Sequence, residues 1–194
     1  MRLADICKSY GENTVFSGFS AELKNGCFTW ITGGSGCGKT TLLRIISGLE
    51  EYSGRISDIP GKRISMVFQE DRLFEELSAL ENCLLVSELP AENIKGMLMQ
   101  TGLSCDDILK SSRELSGGMK RRTAVVRALC APWDILLMDE PFKGLDKISR
   151  MKTAELVKNN FCGRTAAAVT HDISDMELIS GEILNIVKYT QKVI

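Results

Sequence analysis

Between a run of β-branched and aromatic residues and a run of regularly spaced leucines and isoleucines stands Gly33-Gly34-Ser35-Gly36-Cys37-Gly38-Lys39-Thr40, followed by Thr41. The pattern G-x-x-x-x-G-K-[ST] assembles what a polyphosphate requires. Glycines let the backbone wrap closely, so that successive N–H groups and the N-terminus of the next helix face the negative charge. Lys39 supplies a point charge for the outer phosphates, and the Thr40 hydroxyl is placed to ligate magnesium. Read alone, the loop specifies a nucleoside triphosphate and leaves the reaction open, because kinases and GTPases use it too. A bulky reagent on the Cys37 thiol, given access to it, is expected to obstruct the nucleotide.

Two further groups of residues could act on a bound triphosphate. Ile135-Leu136-Leu137-Met138-Asp139-Glu140-Pro141 reads as a buried strand ending in adjacent carboxylates. Beside the loop, Asp139 can orient the metal through water. Strand side chains alternate, so Glu140 is expected to point the other way, toward an attacking water. An Asp-Glu pair by itself is equally a solvated strand end. In Leu115-Ser116-Gly117-Gly118-Met119, a hydroxyl and open backbone N–H groups begin a helix and form another anion site. One chain cannot easily bring both anion sites to one triphosphate. Ser116 and the glycines could also simply cap the helix running through Met119 to Leu129.

The elements that must hold these groups alternate. Cys27 to Thr32 reads as a strand, and Leu42, Leu43, Ile45 and Ile46 set a helix that Gly48 stops. Ile64 to Gln69 reads as a strand closed by Gln69. From Ser78 to Lys110 the apolar spacing is helical, broken at Pro90 and Gly102. Strand signals return at Asp134 to Asp139, Thr165 to Thr170 and Glu182 to Val187, with helical segments between. Strands alternating with helices predict an α/β core with a mainly parallel sheet.

Composition narrows the function classes. The chain has 194 residues, 44% of them hydrophobic, and a formal net charge of -1. That suits one substantial core and supplies no field of one sign for nucleic acid or an anionic bilayer. No apolar stretch approaches the roughly 18 to 20 residues of a spanning helix, so any membrane attachment is expected to go through a partner. The first residues, Met1-Arg2-Leu3-Ala4-Asp5, lack the apolar core of a signal peptide, and a cytoplasmic protein is expected. Seven cysteines with no Cys-x-x-Cys pair, and one histidine, fit reduced thiols better than a zinc site or a disulfide framework.

The order of these pieces, with Leu-Ser-Gly-Gly between the glycine loop and the acidic strand, resembles the ATP-binding subunit of an ABC transporter from Tyr10 to His171. The resemblance implies a P-loop NTPase core, a reduced antiparallel β subdomain and a small helical insertion at about 75–120, all within one domain over 1–194. It implies ATP and magnesium as cofactors. It also implies a head-to-tail dimer with a second copy or a homologous subunit, in which Ser116, Gly117 and Gly118 of one subunit cover the γ-phosphate bound by the other.

Residue by residue, Gln69 matches the loop that reaches the metal and the water and senses the transporter. Asp146, in Lys143-Gly144-Leu145-Asp146, matches the loop that contacts the opposite subunit, where the family more often has Ser-Ala-Leu-Asp. His171 occupies the position that contacts the γ-phosphate, and Tyr10 the position of a ring stacked on adenine. Val67 to Phe74 resembles importers for nitrate, sulfonate and taurine. That implies an integral membrane permease, docked near Leu73, Phe74, Leu77 and Leu80, and indirectly a solute-binding protein. Leu80 is expected instead to fill the insertion's own core. The short spacing from Lys39 to Gln69 is the basis for the trimmed β subdomain, Met119 stands where glutamine is commonest, and no appended regulatory domain is expected after His171. Alternative readings are a non-transport ABC ATPase and a P-loop kinase acting on a small molecule.

Overall fold

The computed structural model describes residues 1–187 and contains two sheets. Strands β1 (Arg2–Tyr10), β2 (Asn13–Glu22) and β4 (Ser53–Ile56) form an antiparallel sheet in the order β2-β1-β4. Strands β3 (Phe28–Gly33), β5 (Ile64–Val67), β6 (Ile135–Asp139), β7 (Thr165–Val169) and β8 (Glu182–Ile186) form a parallel sheet in the order β5-β6-β7-β3-β8. Helix α1 (Lys39–Ile46) follows β3. Helices α2 (Ala79–Leu84), α3 (Ala91–Gln100), α4 (Cys105–Leu109) and α5 (Gly117–Cys130) lie between β5 and β6, α6 (Lys147–Phe161) precedes β7, and α7 (Ile173–Leu178) precedes β8.

The central strands are buried on both faces, which is why they read as unbroken apolar runs. Alternation then divides them between two cores. Trp30, Leu136, Met138, Ala166 and Ala168 face the core shared with α2 to α6. Ile31, Ile135, Leu137, Ala167 and Val169 face the one shared with α1 and the antiparallel sheet, through Leu42, Leu43, Leu3, Ile6 and Phe16. Because the sheet is parallel, the carboxyl ends of β3, β6 and β7 open on one edge, where ligands of such sheets bind.

The sequence reading placed no strand over residues 2–22, and the structure shows why. Asp5 at φ 53 and Gly18 at φ 69 sit at register shifts of the β1–β2 pair, so the buried residues Leu3 and Ile6 stand three apart instead of two. At Gly54 an added Cβ would lie 2.5 Å from the Asp5 carbonyl oxygen, so β4 pairs against the bulged strand only as glycine. The expected strand Ile64 to Gln69 is shorter than read, since β5 ends at Val67 and leaves Gln69 beyond it, while β6 ends at Asp139 and leaves Glu140 outside the strand.

The helical segment begins with a capping box, in which Ser78 accepts from the Glu81 amide and Glu81 accepts from the Ser78 amide. Pro90 starts α3 and Gly102 follows its end at φ 91. Asn82, fully buried in α2, joins this segment to its surroundings. Its amide nitrogen donates to the carbonyl oxygens of Phe74 and Ser78 at 3.0 Å and to Ser112 Oγ at 3.0 Å, and its oxygen accepts from the Phe74 N–H at 2.8 Å. Replacing Asn82 with alanine leaves these groups short of a partner and should destabilise the fold by about 2 kcal/mol. For a chain of this length that lowers the melting temperature by about 4–8 °C in a calorimetric scan. An unchanged melting temperature would show that water replaces the amide at no cost.

Candidate functional site

The glycine loop joins the buried end of β3 to α1. Gly38 is at φ 102, and a Cβ there would meet Val15 Cγ1 at 2.6 Å, so the turn and its seat on β2 both require glycine. Lys39 crosses the loop, its ammonium donating to the carbonyl oxygens of Gly33 and Gly34 at 2.8 and 3.0 Å. Helix α1 ends at Gly48, at φ 74, with the Leu49 N–H bonded to the Arg44 carbonyl oxygen and that of Gly48 to Ile45. Cys37 is buried in the core beneath the loop. Its thiol is therefore not presented to a nucleotide, and the access assumed for a thiol reagent is not met.

Thr40 Oγ1 donates to Asp139 Oδ2 at 2.7 Å, linking residues 99 positions apart. Asp139 is 1% exposed. Burial pushes its carboxyl above the ordinary aspartate range, and the Thr40 hydrogen bond acts in the opposite direction. Glu140 lies past the strand at φ 51, so its side chain is aimed by a left-handed turn and not by strand alternation. For a residue other than glycine that conformation costs about 1–2 kcal/mol. It is held by the Glu140 N–H donating to the Val169 carbonyl oxygen at 3.0 Å and by Arg121, whose Nη2 donates to the Glu140 carbonyl oxygen at 2.7 Å. The Glu140 carboxylate meets Lys143 Nζ at 2.7 Å and His171 Nε2 at 3.2 Å.

A cavity of about 390 Å³ collects much of what the sequence marked. Tyr10, Ser35, Gly36, Gly38, Lys39, Thr40, Thr41, Gln69, Glu140 and His171 line it, with Asn13 and Val15 added from β2. Tyr10 is exposed at its mouth, with the Lys8 ammonium 4.7 Å from the ring centroid. Asp139 lies behind the wall on Thr40, while Gly33, Gly34 and the buried Cys37 are not among the lining residues.

The second anion site expected from the sequence, Ser116 to Gly118, does not open into this cavity. Ser116 and Gly117 are exposed, Ser116 Oγ caps α5 by accepting from the Met119 N–H at 3.3 Å, and Gly118 stands against Leu145 and Gly144. Asp146 caps α6, accepting from the N–H groups of Ile148 and Ser149 at 3.0 Å each. Hydrogen bonds from Ser149 hold its carboxyl below the usual range. The predicted residues thus fall into two clusters on one chain: a cavity at the sheet edge, and an exposed helix start beside the Gly144-Leu145-Asp146 loop.

Residues 16–143 match the ABC transporter family. The chain belongs to that family. The aliphatic sulfonates import ATP-binding protein SsuB 2 of Mesorhizobium japonicum is 35% identical over 192 residues, covering 95% of this chain and 76% of that protein. The sn-glycerol-3-phosphate import ATP-binding protein UgpC of Paracoccus denitrificans is 37% identical over 188 residues, 88% of this chain and 53% of that one. The dimeric structure of MJ0796, a bacterial ABC transporter cassette, superimposes with a TM-score of 0.83 at 29% identity, covering 96% of this chain and 94% of that one. The same cassette in a post-hydrolysis state bound to ADP and Pi gives 0.82 at 28% identity, over 95% and 93% of the two chains. The chain is therefore an ABC ATPase with a P-loop NTPase fold, as its motifs imply.

Three positions in the cassette were not marked by sequence reasoning. Arg121 and Arg127 of α5 hold the loop after β5: Arg121 Nη1 donates to the Phe68 carbonyl oxygen at 2.6 Å, and Arg127 to those of Asp71 and Arg72 at 3.1 and 2.8 Å. Asn82 fixes Phe74 from the other side. The available signal was charge and amide on apolar faces, an arginine pair running into Thr123-Ala124-Val125-Val126 and an asparagine beside Leu80 and Cys83.

Asp139 gives this site a pH signature. A carboxyl whose folded pKa is raised stabilises the fold at low pH, and that contribution is lost as pH rises through the folded value. Asp139→Asn should therefore melt a few degrees above the wild type at pH 8 without nucleotide. The gap should close as pH falls toward the ordinary aspartate pKa of about 4. A variant that melts lower than the wild type at pH 8 would show that the ionised carboxylate is net stabilising.

Proposed function

We propose that the chain is the ATP-hydrolysing subunit of an ABC importer. Two copies, or this chain and a homologous subunit, close head-to-tail on ATP, hydrolysis reopens them, and a separate integral membrane permease alternates its access with that cycle. The observation that carries the reading is the division of the predicted residues. The cavity holds a loop, a carboxylate and a histidine for the outer phosphates, while a second anion site stands exposed on another part of the surface. A second subunit supplies the missing half without rearranging either core. The dimeric cassette of the same fold and the import proteins of similar sequence support it. The place of action is then the cytoplasmic face of the membrane, with a solute-binding protein as an indirect partner.

Within this reading Lys39 neutralises the outer phosphates and Tyr10 stacks on adenine. Ser116, Gly117 and Gly118 cover the nucleotide of the opposite subunit, beside Asp146. Oxygen donors 2.7 Å apart at Thr40 and Asp139, with Gln69 on the same cavity, suit a hard divalent cation, and magnesium is the cofactor they would hold. When bound it neutralises phosphate charge that develops during transfer. Glu140 accepts the proton of the attacking water, and His171, 3.2 Å from its carboxylate, orients it and faces the γ-phosphate. A kinase reading would leave the exposed Ser116 site and the His171–Glu140 contact without a role.

The permease side is read from the surface. Phe74 is 61% exposed, Leu73 and Leu77 are half-buried, and Leu80 is buried in the helical core. Leu84 at the end of α2 and Leu85 and Val86 after it are exposed apolar residues as well. Asn82 holds the Phe74 backbone at both its N–H and its carbonyl, so this edge is presented rigidly.

Three outcomes are expected. Lys39→Ala should weaken ATP binding by roughly 10- to 100-fold, the loss of a charged hydrogen bond, read by titration with a fluorescent ATP analogue. Binding at wild-type affinity would remove the phosphate-loop assignment. Glu140→Gln should keep ATP binding, lower phosphate release by roughly 100-fold or more and elute as an ATP-dependent dimer. A monomer that still hydrolyses ATP would sink both the base and the two-subunit site. Changing Leu73 and Phe74 together to serine should retain phosphate release but lose recovery of a polytopic membrane protein in a detergent pull-down; recovery at wild-type yield would place the dock elsewhere.

A further inference from the structure

Among the buried charged groups that the proposed roles leave unused, Arg121 has the fullest set of partners. Its side chain is 4% exposed, five positions after Ser116 in α5. A guanidinium has five N–H donors in a fixed plane, and here they reach two segments at once. Toward the loop after β5, Nη1 donates to the Phe68 carbonyl oxygen at 2.6 Å and to Asp71 Oδ1 at 3.1 Å, with the Gln69 carbonyl oxygen at 3.5 Å. Toward the end of β6, Nη2 donates to the carbonyl oxygens of Asp139 and Glu140, and Nε to that of Glu140 at 3.2 Å.

Each segment carries one side chain of the cavity, Gln69 on the first and Glu140 on the second. Neither residue belongs to a strand. Glu140 sits in a left-handed turn that persists only where its surroundings over-determine it, and Arg121 supplies two of the hydrogen bonds on its carbonyl. We propose that Arg121 is a positioning residue for hydrolysis: it holds the Glu140 peptide in that turn and the Gln69 loop at a fixed separation from it, so that carboxylate and amide converge on one reacting group. The inference rests on Glu140 being the base. Arg127 is the internal comparison, because it grips the Gln69 loop from the same helix and touches neither Asp139 nor Glu140.

The test is steady-state ATP hydrolysis by Arg121→Lys, Arg121→Gln, Arg127→Gln and Glu140→Gln in the full chain, with kcat and KM for ATP read separately on protein that melts cooperatively. A displaced base costs rate and spares binding, so both Arg121 variants should lose about 10- to 100-fold in kcat with KM within about threefold of wild type. Lysine should rescue only partly, because one ammonium cannot bridge the two segments. Arg127→Gln should lose clearly less. Wild-type kcat in Arg121→Lys, a loss carried by KM, or equal losses at Arg121 and Arg127 would each overturn the positioning role. Should neither Arg121 variant fold, Asp71→Asn loosens the same hold from the other end. It should lower kcat at constant KM, and an unchanged kcat overturns the proposal. Glu140→Gln separates the two claims: full turnover there defeats the base assignment itself, whereas lost turnover there with full turnover in Arg121→Lys defeats only the role of Arg121.

Discussion

A carboxylate at the end of a strand buried on both faces is the constraint around which this molecule is arranged. Asp139 closes five consecutive buried residues, and its charge is unfavourable there unless polar groups come to it. The first to arrive is Thr40, from the opening turn of α1, and that single hydrogen bond fixes where the glycine loop stands relative to β6. Strand β7 lies between β6 and β3 in the sheet, so the contact must pass across its carboxyl end. Three successive alanines, Ala166 to Ala168, keep β7 thin, and α1 packs on the sheet face that Ala167 shares with Leu137 and Ile31.

The same constraint explains why the reactive side chains stand just outside regular structure. A strand residue points into one core or the other, whereas a residue one or two places past the strand can point along the sheet edge. Glu140 and Gln69 both occupy such places, and the Arg121 side chain of α5 secures both segments through the carbonyl oxygens of Glu140 and Phe68. Arginine suits this task because its planar fork satisfies several carbonyl oxygens from one buried stem. The helix that secures the two loops also begins with Ser116 and the two glycines, so one rigid body supports the cavity of its own chain and carries the residues proposed to serve a second subunit.

What the sequence made legible follows from how local each signal is. The glycine loop, the apolar strands β3, β6 and β7, the capping of α5 and the helical spacing of α2 to α4 are written in adjacent residues, and all were readable. The β1–β2 hairpin was not, because bulges at Asp5 and Gly18 break the alternation that announces a strand. Strand alternation also gave a wrong reason for the direction of Glu140, since a left-handed turn at that position leaves no trace in residue type. Arg121, Arg127 and Asn82 were missed for a different reason. Their partners are mainly backbone carbonyl oxygens, up to 56 residues away, and a carbonyl looks the same in every residue. Cys37 carries the opposite lesson: its place in the loop was readable, but the direction of its thiol into the core was not.

The departures in Lys143-Gly144-Leu145-Asp146 take on meaning only against this frame. Lys143 sits 2.7 Å from Glu140, so the loop proposed to meet the opposite subunit is tied electrostatically to the carboxylate proposed as the base. Gly144 adopts φ 74, a conformation open to glycine at no steric cost, and that turn brings Leu145 back into the core while Asp146 caps α6. The loop is therefore anchored at both ends by local contacts, with Gly118 of the α5 start packed against its middle. The loop after Glu140 thus lies between the cavity and the start of α5 on a single chain. Under the proposed two-subunit arrangement, the helix that begins at the exposed residues is the one whose Arg121 also secures the end of β6.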